Sequence, residues 1–541
     1  MGTTSPIPAT ARATPGRDVA HAAARALVCD RGLGFATRPA RRRAAPPTAL
    51  AVASTVLLAT VALFCTSPLQ AARTDVALGM VLEPPNLDPT AGAAAAIDEI
   101  VYANLFEGLT RFAPDGSIEP ALAASWEIEK EGRRYVFTLQ ENVDFHDGAE
   151  FDASDVAFSI ERAQAEDSTN AQKGLFANIE SVEVIDPLTV ALNLAEPDGS
   201  LPFKLAWGDA VILDPGSADT AATAPVGTGP FRFDRWVQGD RVELVKFDGY
   251  WGEPARLDKA VFRFIAEPTA AFSAMMSGDI DVFPNFPAPE NLVQFENDPR
   301  FSVVIGSTEG ETILAMNNAE PPLDDVRVRR AIAHAIDRGE IVDGAMYGYG
   351  TPIGSHFAPH NPAYVDLVER SATDKAKAKA LLEEAGQAEG LTLSLKLPPP
   401  AYARRGGEII AAQLRDVGIE TEIENLEWAQ WLEQVFKGRD FDLTIVSHTE
   451  PMDIDIYARP DYYFQYDDED FQALMAEFET ETDEAERKAL LGRAQEKLAD
   501  DQVNAYLFQL AKTGVAAAKL KGLWENSPTQ ANDLTKVYWE D

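Results

Sequence analysis

Two short stretches carry side chains that could grip a small charged molecule. The first reads Pro400-Ala-Tyr-Ala-Arg404-Arg405-Gly-Gly-Glu408. A guanidinium offers a planar fork of donors that fits a carboxylate bidentately. Arg404 and Arg405 also stand where a helix begins, a setting that favours an anion. The competing reading is a solvated basic turn. The second stretch reads Ser447-His448-Thr-Glu450-Pro-Met-Asp453-Ile-Asp455-Ile-Tyr457, with Arg459, Tyr462 and Tyr463 close behind. Asp453 or Asp455 could hold a cation while the other caps or orients the loop. His448 and Tyr457 add polar and aromatic surface of a kind that stacks on sugar faces and on cations. The competing reading is an acidic loop that touches no ligand. Trp428 and Trp431 lie just upstream and could serve a pocket or a core.

Other chemistries leave weaker traces. His356 and His360 are four apart, but Pro359 breaks any helix between them, so a shared face is not assured. His146, His334 and His448 are scattered. No metal ligand set, and no cofactor, is expected. The chain has no nucleophile elbow, Walker loop, HExxH or GxGxxG motif. Paired glycosidase carboxylates cannot be picked out by counting in so acidic a chain. No enzyme is expected, and a secreted hydrolase is the distant alternative.

The chain has 541 residues, 86 acidic and 47 basic, for a net charge of −39. That length calls for more than one core. That charge argues against sequence-independent nucleic-acid binding, which needs clustered Lys and Arg. The first 72 residues read as a leader. Arg41, Arg42 and Arg43 precede an uncharged run from Ala49 through Phe64, and the small pair Ala71-Ala72 follows. A basic region, a short apolar run and a small-residue exit describe a secretory signal. Cleavage near Ala71 or Ala72 is expected, and so is a periplasmic location in a Gram-negative bacterium; an uncleaved anchor is the alternative. Both cysteines, Cys29 and Cys65, fall in this leader. Its loss removes eight Arg and two Asp and leaves 39 basic against 84 acidic residues, or −45.

Beyond the leader, strand and helix patterns alternate. Strands are expected at 76–82, 242–247, 260–265, 391–397, 419–424 and 441–446, with a hairpin over 126–139 and a strand pair over 182–194. Helices are expected at 97–109, 152–163 with Asp152 or Ser154 as cap, 324–338, 341–346, 373–385, 402–417 and 471–499. Mixed α/β domains follow.

Four segments together resemble one family. They are Asn86-Leu-Asp-Pro89; Leu122-Ala-Ala-Ser-Trp126 with Asn142-Val-Asp-Phe-His-Asp-Gly148 and Asp155-Val-Ala-Phe158; Val226-Gly-Thr-Gly-Pro-Phe231 with Trp236 and Asp248-Gly-Tyr-Trp251; and Asn317 with the run from Pro322 to Arg338. Read from the residues alone, Gly227, Gly229 and Pro230 fix a tight turn. In this order and spacing, the segments resemble the family 5 extracellular solute-binding proteins of ABC importers, which serve oligopeptides, dipeptides, nickel chelates, opines and some sugars.

The resemblance implies an α/β, type II periplasmic-binding-protein (Venus-flytrap) fold: two lobes, a hinge and an extra subdomain. Lobe I would be 73–118, 225–312 and 508–541; the extra subdomain 119–224; lobe II 313–507. It also implies a monomer that captures a short peptide or peptide-like solute and delivers it to an ABC permease and its ATPase subunits. Dipeptide-binding members place an Arg where Arg404 and Arg405 stand, to hold the peptide carboxylate. They place an Asp where Asp453 and Asp455 stand, to hold the ammonium. The loop here lacks their usual Trp-Gly, so an opine, sugar or nickel chelate is the alternative cargo.

Overall fold

The computed structural model describes residues 73–92, 94–450 and 452–540. The expectations for the leader and its two cysteines lie outside them. No helix of the described residues is long and apolar enough to cross a membrane.

An eleven-stranded sheet organises the described chain. Its path runs Ile419–Asn425, Leu391–Leu397, Leu443–His448, Phe301–Met316, Asn504–Ala517, Val282–Phe283, Asp75–Met80, Lys259–Phe264, Arg241–Lys246, Phe231–Val237; Thr351–Pro352 pairs off the path with Asn504–Ala517. The two middle strands are the longest and pair antiparallel with each other from Phe301↔Ala517 to Ala315↔Asn504. The apolar ends of the first, Val303-Val-Ile305 and Ile313-Leu-Ala-Met316, favour extended backbone. Between those ends the register shifts from Ser307 to Glu311. There the buried Gln509 side chain donates to Thr308 O at 2.6 Å, so the bulge is fixed by a side chain in place of the ladder.

Neither long strand figures among the expected strands. The expected boundaries at 312/313 and 507/508 fall inside them. Strands on one side of the pair cover a core around Val76, Leu78, Ile97, Phe106, Phe231 and Phe262. Strands on the other cover Leu314, Ile332, Leu393, Ile410 and Leu443. A separate four-stranded antiparallel sheet, Ala123–Glu129, Arg134–Leu139, Thr189–Leu194 and Ile179–Asp186, packs its own core around Phe137, Val156 and Leu192.

Two expected helices are corrected. The first ends at Val101, not Leu109. Ala103 takes φ 56°, and the Asn104 side chain donates to Ile100 O at 3.0 Å and to Asn532 O at 2.9 Å, which stops the helix. The span 471–499 is two helices, Glu469–Thr480 and Glu484–Asp501. Asp483 caps the second through the backbone N–H groups of Ala485 and Glu486.

The motif residues are architectural. Gly227 and Gly229 do not serve a left-handed turn. A Cβ on Gly227 would sit 2.0 Å from Leu105 O, and one on Gly229 2.5 Å from Asn104 O, so glycine is needed for close approach of two backbones. Beside them the buried Glu107 carboxylate accepts from Thr228 at 2.8 Å and from Tyr250 and Trp251 at 2.9 Å each. In the helix Val326–Ala335, Arg329 donates to Gln502 O at 3.0 Å and to Asp501 O and Leu323 O at 2.8 Å each. Arg338, at the start of the next helix, donates to Tyr506 O at 2.7 Å and to the Ser371 hydroxyl at 2.7 Å. Both guanidiniums tie helices to the foot of the long strand Asn504–Ala517.

Gly227→Ala should therefore lower unfolding stability by ~2 kcal/mol or more, from steric overlap at a packed backbone crossing. Denaturant titration checks this, and an unchanged midpoint would refute the close-approach reading.

Candidate functional site

The sheet holds two parallel sets of three strands: Asp75–Met80 lies between Lys259–Phe264 and Val282–Phe283 in one, and the other carries the residues singled out in the sequence. Leu391–Leu397 is flanked by Ile419–Asn425 on one side and Leu443–His448 on the other. In such sheets ligands settle beyond the carboxyl ends of the strands. The residues singled out in the sequence lie in the three segments that leave these ends. Arg404 and Arg405 are in the first turns of the helix Ala401–Arg415, after Leu391–Leu397. Trp428 opens the helix Trp428–Trp431, after Ile419–Asn425. Asp453, Asp455 and Tyr457 lie in the short helix Asp453–Ala458, after Leu443–His448. Tyr402 joins two of the segments, its hydroxyl accepting from Ser447 N at 3.4 Å.

The two arginines part company. Arg404 donates from Nη2 to Leu426 O at 3.0 Å and to Glu427 Oε1 at 3.1 Å, which bridges it to the Trp428 segment. Its Nε is buried and has no hydrogen-bond partner. Arg405 is exposed; it packs over the Tyr347 ring at 5.4 Å and donates to that hydroxyl at 2.5 Å. The two tryptophans part as well. Trp431 is buried and donates to Thr444 Oγ1 at 2.9 Å. Trp428 is 43% exposed and continues into exposed Leu432 and Phe436, an apolar stripe at four-residue spacing that the sequence reading did not single out.

In the second stretch, Asp455 is ion-paired with Arg459. Tyr457 is 0% exposed, stacks on Phe464 at 4.7 Å and accepts from Asn504 at 3.3 Å, so it faces a core and not a surface. His448 is buried, stacks on Tyr463 at 6.1 Å and lies 3.2 Å from that hydroxyl.

Asp453 turns toward His448 of its own stretch and toward His356, which the sequence reading did not join to it. Its Oδ1 lies 2.8 Å from His356 Nε2, and its Oδ2 lies 3.5 Å from His448 Nδ1. His356 Nε2 is also 3.1 Å from Glu311 Oε1, and His356 Nδ1 has no partner. One step along, His360 Nε2 is 2.6 Å from Glu309 Oε1. Glu309 and Glu311, two apart on one strand, thus meet His360 and His356, so the two histidines do share a face. Glu311 is cross-strand partner to His448, which brings all these groups to one end of the sheet. A Glu-Gly-Glu facing a His-x₃-His across the fold was the available signal.

Burial, the Asp453 charge and the Glu309 charge push the Glu311 carboxyl well above the usual range. Burial acts on Asp453 in the same sense, but the charge and hydrogen bond of His356 and the bond to His448 outweigh it. They hold Asp453 below the usual carboxylate range.

Comparison with known proteins gives the family. Residues 117–472 match the family described as bacterial extracellular solute-binding proteins, family 5 Middle. The chain belongs to that family. It is 30% identical over 355 residues to the dipeptide-binding protein of Escherichia coli K12, across 59% of this chain and 65% of that protein. It is 30% identical over 372 residues to the glutathione-binding protein GsiB of Pectobacterium atrosepticum, across 67% of this chain and 71% of that one. Among solved structures, the periplasmic binding protein DppA of Helicobacter pylori, in complex with the peptide STSA, superposes with a TM-score of 0.69 at 25% identity; the match covers 87% of this chain and 99% of that one. The fold is that of the type II periplasmic binding proteins, and the family is one of binding proteins.

The raised Glu311 has a stability consequence. A carboxyl whose folded-state pKa lies above its unfolded value stabilises the fold fully below the unfolded pKa, and that contribution fades as pH rises through the folded pKa. Glu311→Gln in metal-free buffer should therefore gain melting temperature relative to the parent between pH 5 and pH 8. A difference that stays constant over that range would contradict a raised Glu311.

Proposed function

We propose that this protein is the periplasmic receptor of an ABC importer, a monomer that closes on a short peptide or peptide-like zwitterion and hands it to the membrane permease and its ATPase subunits. The observation that carries the reading is that groups of opposite charge lie in segments leaving the carboxyl ends of one parallel set of strands. Arg404 and Asp453 follow adjacent parallel strands, in a chain whose relatives are named for binding dipeptides and glutathione.

Arg404 keeps a buried Nε donor unpaired, which suits a ligand carboxylate. Arg405 stands one residue on, exposed. Asp453 is held ionised and its side chain is 14% exposed, the most open of the group that includes His356 and Glu311. A ligand ammonium can take the place of His448 beside Asp453. The stripe of Trp428, Leu432 and Phe436 supplies apolar surface for ligand side chains. Lobe I (73–118, 225–312, 508–541), with the subdomain 119–224, and lobe II (313–507) close about the long strand pair. The leader directs export and is removed near Ala71 or Ala72.

Thermal-shift screening of refolded, ligand-free protein tests the cargo, since a tight ligand raises the melting temperature by mass action. Dipeptides and tripeptides should shift it. A shift with sugars or opines alone would overturn the peptide reading while leaving the receptor class in place. Arg404→Ala combined with Arg405→Ala should weaken peptide binding at least ~10-fold. Calorimetry showing unchanged affinity would remove the arginines from the site.

A further inference from the structure

The four-stranded sheet and the helix pair at 469–501 meet at a small joint away from the long strands. On one side are Gly132, in the turn between Ala123–Glu129 and Arg134–Leu139, and the loop 198–200. On the other are the end of the helix Glu469–Thr480 and the turn into Glu484–Asp501. Gly199 N donates to Glu479 O at 3.0 Å. Arg487 donates across the joint to the Ser200 hydroxyl at 2.7 Å, and on its own side to Phe478 O and Glu481 O at 2.8 and 2.9 Å. Lys204 pairs with Asp198 at 2.7 Å and reaches across to Glu479 at 3.8 Å.

The fit leaves no slack. A Cβ on Gly199 would lie 1.7 Å from Glu481 O, and one on Gly132 2.9 Å from Thr482 Cγ2. Both sides are braced from behind. The Tyr135 hydroxyl donates to Asp198 O at 2.7 Å, and the Arg487 guanidinium lies over the Phe478 ring at 4.0 Å. Burial lowers Arg487 and raises Glu479 from their ordinary values, so both charges are withdrawn from water here.

The joint links two bodies that the long strand pair also links. The four-stranded sheet is tied to the half of the large sheet that carries Phe231–Val237: His146 N donates to Gly227 O at 2.9 Å, and Gly227 N donates to His146 Nδ1 at 3.1 Å. The helix pair belongs to the other half, since Glu484–Asp501 runs into the foot of Asn504–Ala517. Its 18 residues span ~27 Å, so the joint stands well apart from that foot. Little crosses the joint: one backbone hydrogen bond, one guanidinium–hydroxyl bond and one ion pair. A point contact between element ends can turn without parting, whereas interlocked helices can only slide.

We propose that this joint is a second bearing for lobe closure. It stays made while one half turns on the other, and with the strand shift between Ser307 and Glu311 it fixes the line about which they turn. Two separated contacts permit rotation about the line through them and resist twist. Gly199, Ser200 and Arg487 are then positioning residues: they touch no cargo, yet they set how the two halves meet around it. The proposal rests on the receptor reading, because it needs the halves to move.

The exported chain, 73–541, has no cysteine, so Gly132→Cys with Thr482→Cys can lock the joint; a disulfide needs Cβ atoms ~3.5–4.5 Å apart. The test is small-angle X-ray scattering with and without a mixture of di- and tripeptides, with affinity measured alongside. The oxidised pair should contract on peptide addition as the parent does, and bind as tightly. Gly199→Val, which forces the joint apart, should have a larger radius of gyration without peptide and bind at least ~10-fold more weakly, because fewer molecules hold the competent arrangement. Should that variant fail to fold, Ser200→Ala with Lys204→Ala takes its place, with the same direction expected. An oxidised pair that no longer contracts means that closure parts the joint, and opened variants with the parent's radius and affinity mean that it guides nothing; either result overturns the bearing. If the parent itself does not contract, the peptide reading fails, and the ligand-free radii alone decide the bearing: a radius in the opened variant equal to the parent's overturns it.

Discussion

The pairing of Phe301–Met316 with Asn504–Ala517 is the constraint on which the rest of this structure depends. One backbone ladder runs through both halves of the sheet, and the cores on either side attach to it. Arg329 and Arg338 fix its foot by bonding main-chain carbonyls of residues 501, 502 and 506. The ladder is interrupted at two neighbouring places, a wide shift between Ser307 and Glu311 and a second between Thr312 and Ile313. Any movement of one half against the other must bend the strands, and a bulge is where bending disturbs the fewest ladder bonds. The same bulge delivers Glu309 and Glu311 to the end of the sheet where the parallel strands finish. Mechanical weakness and buried charge therefore coincide.

The molecule settles buried glutamates in three ways, and the contrast shows what is unusual about Glu311. Glu243 is surrounded by Arg235, Arg241 and Lys259; these outweigh burial and hold its carboxyl down at about 2. Glu107 has three neutral donors, from Thr228, Tyr250 and Trp251, and burial still raises it. Glu311 has an imidazole on one side and like charges on the others, and it is raised further. The first is a structural ion cluster and the second a satisfied hydrogen-bond node. The third keeps its proton, because burial and like charges disfavour the ionised form.

Much of this was legible in the sequence, for reasons that are local. The strand Leu391–Leu397 alternates cleanly and was expected at those bounds, and Asp152 caps its helix as its position before an amphipathic run suggests. The segments bearing Arg404, Trp428 and Asp453 were singled out by residue type and by the family resemblance, and they leave the ends of neighbouring strands. What stayed hidden is non-local. The strand Phe301–Met316 carries Gly306-Ser-Thr-Glu-Gly-Glu311 at its centre, which reads as a loop, and the two long strands pair with each other about two hundred residues apart. The partner of Asp453, His356, lies 97 residues away, and Pro359 made the two histidines look unrelated. Tyr457 was chosen for its type, yet Phe464 and Asn504 close over it.

The central claim is that oppositely charged groups beyond adjacent parallel strands hold a small zwitterion. The most direct measurement is native mass spectrometry of the protein isolated from the periplasm, before and after unfolding and refolding. The account predicts a discrete non-covalent adduct that fragments as a short peptide or peptide-like molecule, is lost on refolding, and is regained when a peptide mixture is added. A protein that carries no such adduct and takes up nothing from that mixture would contradict it.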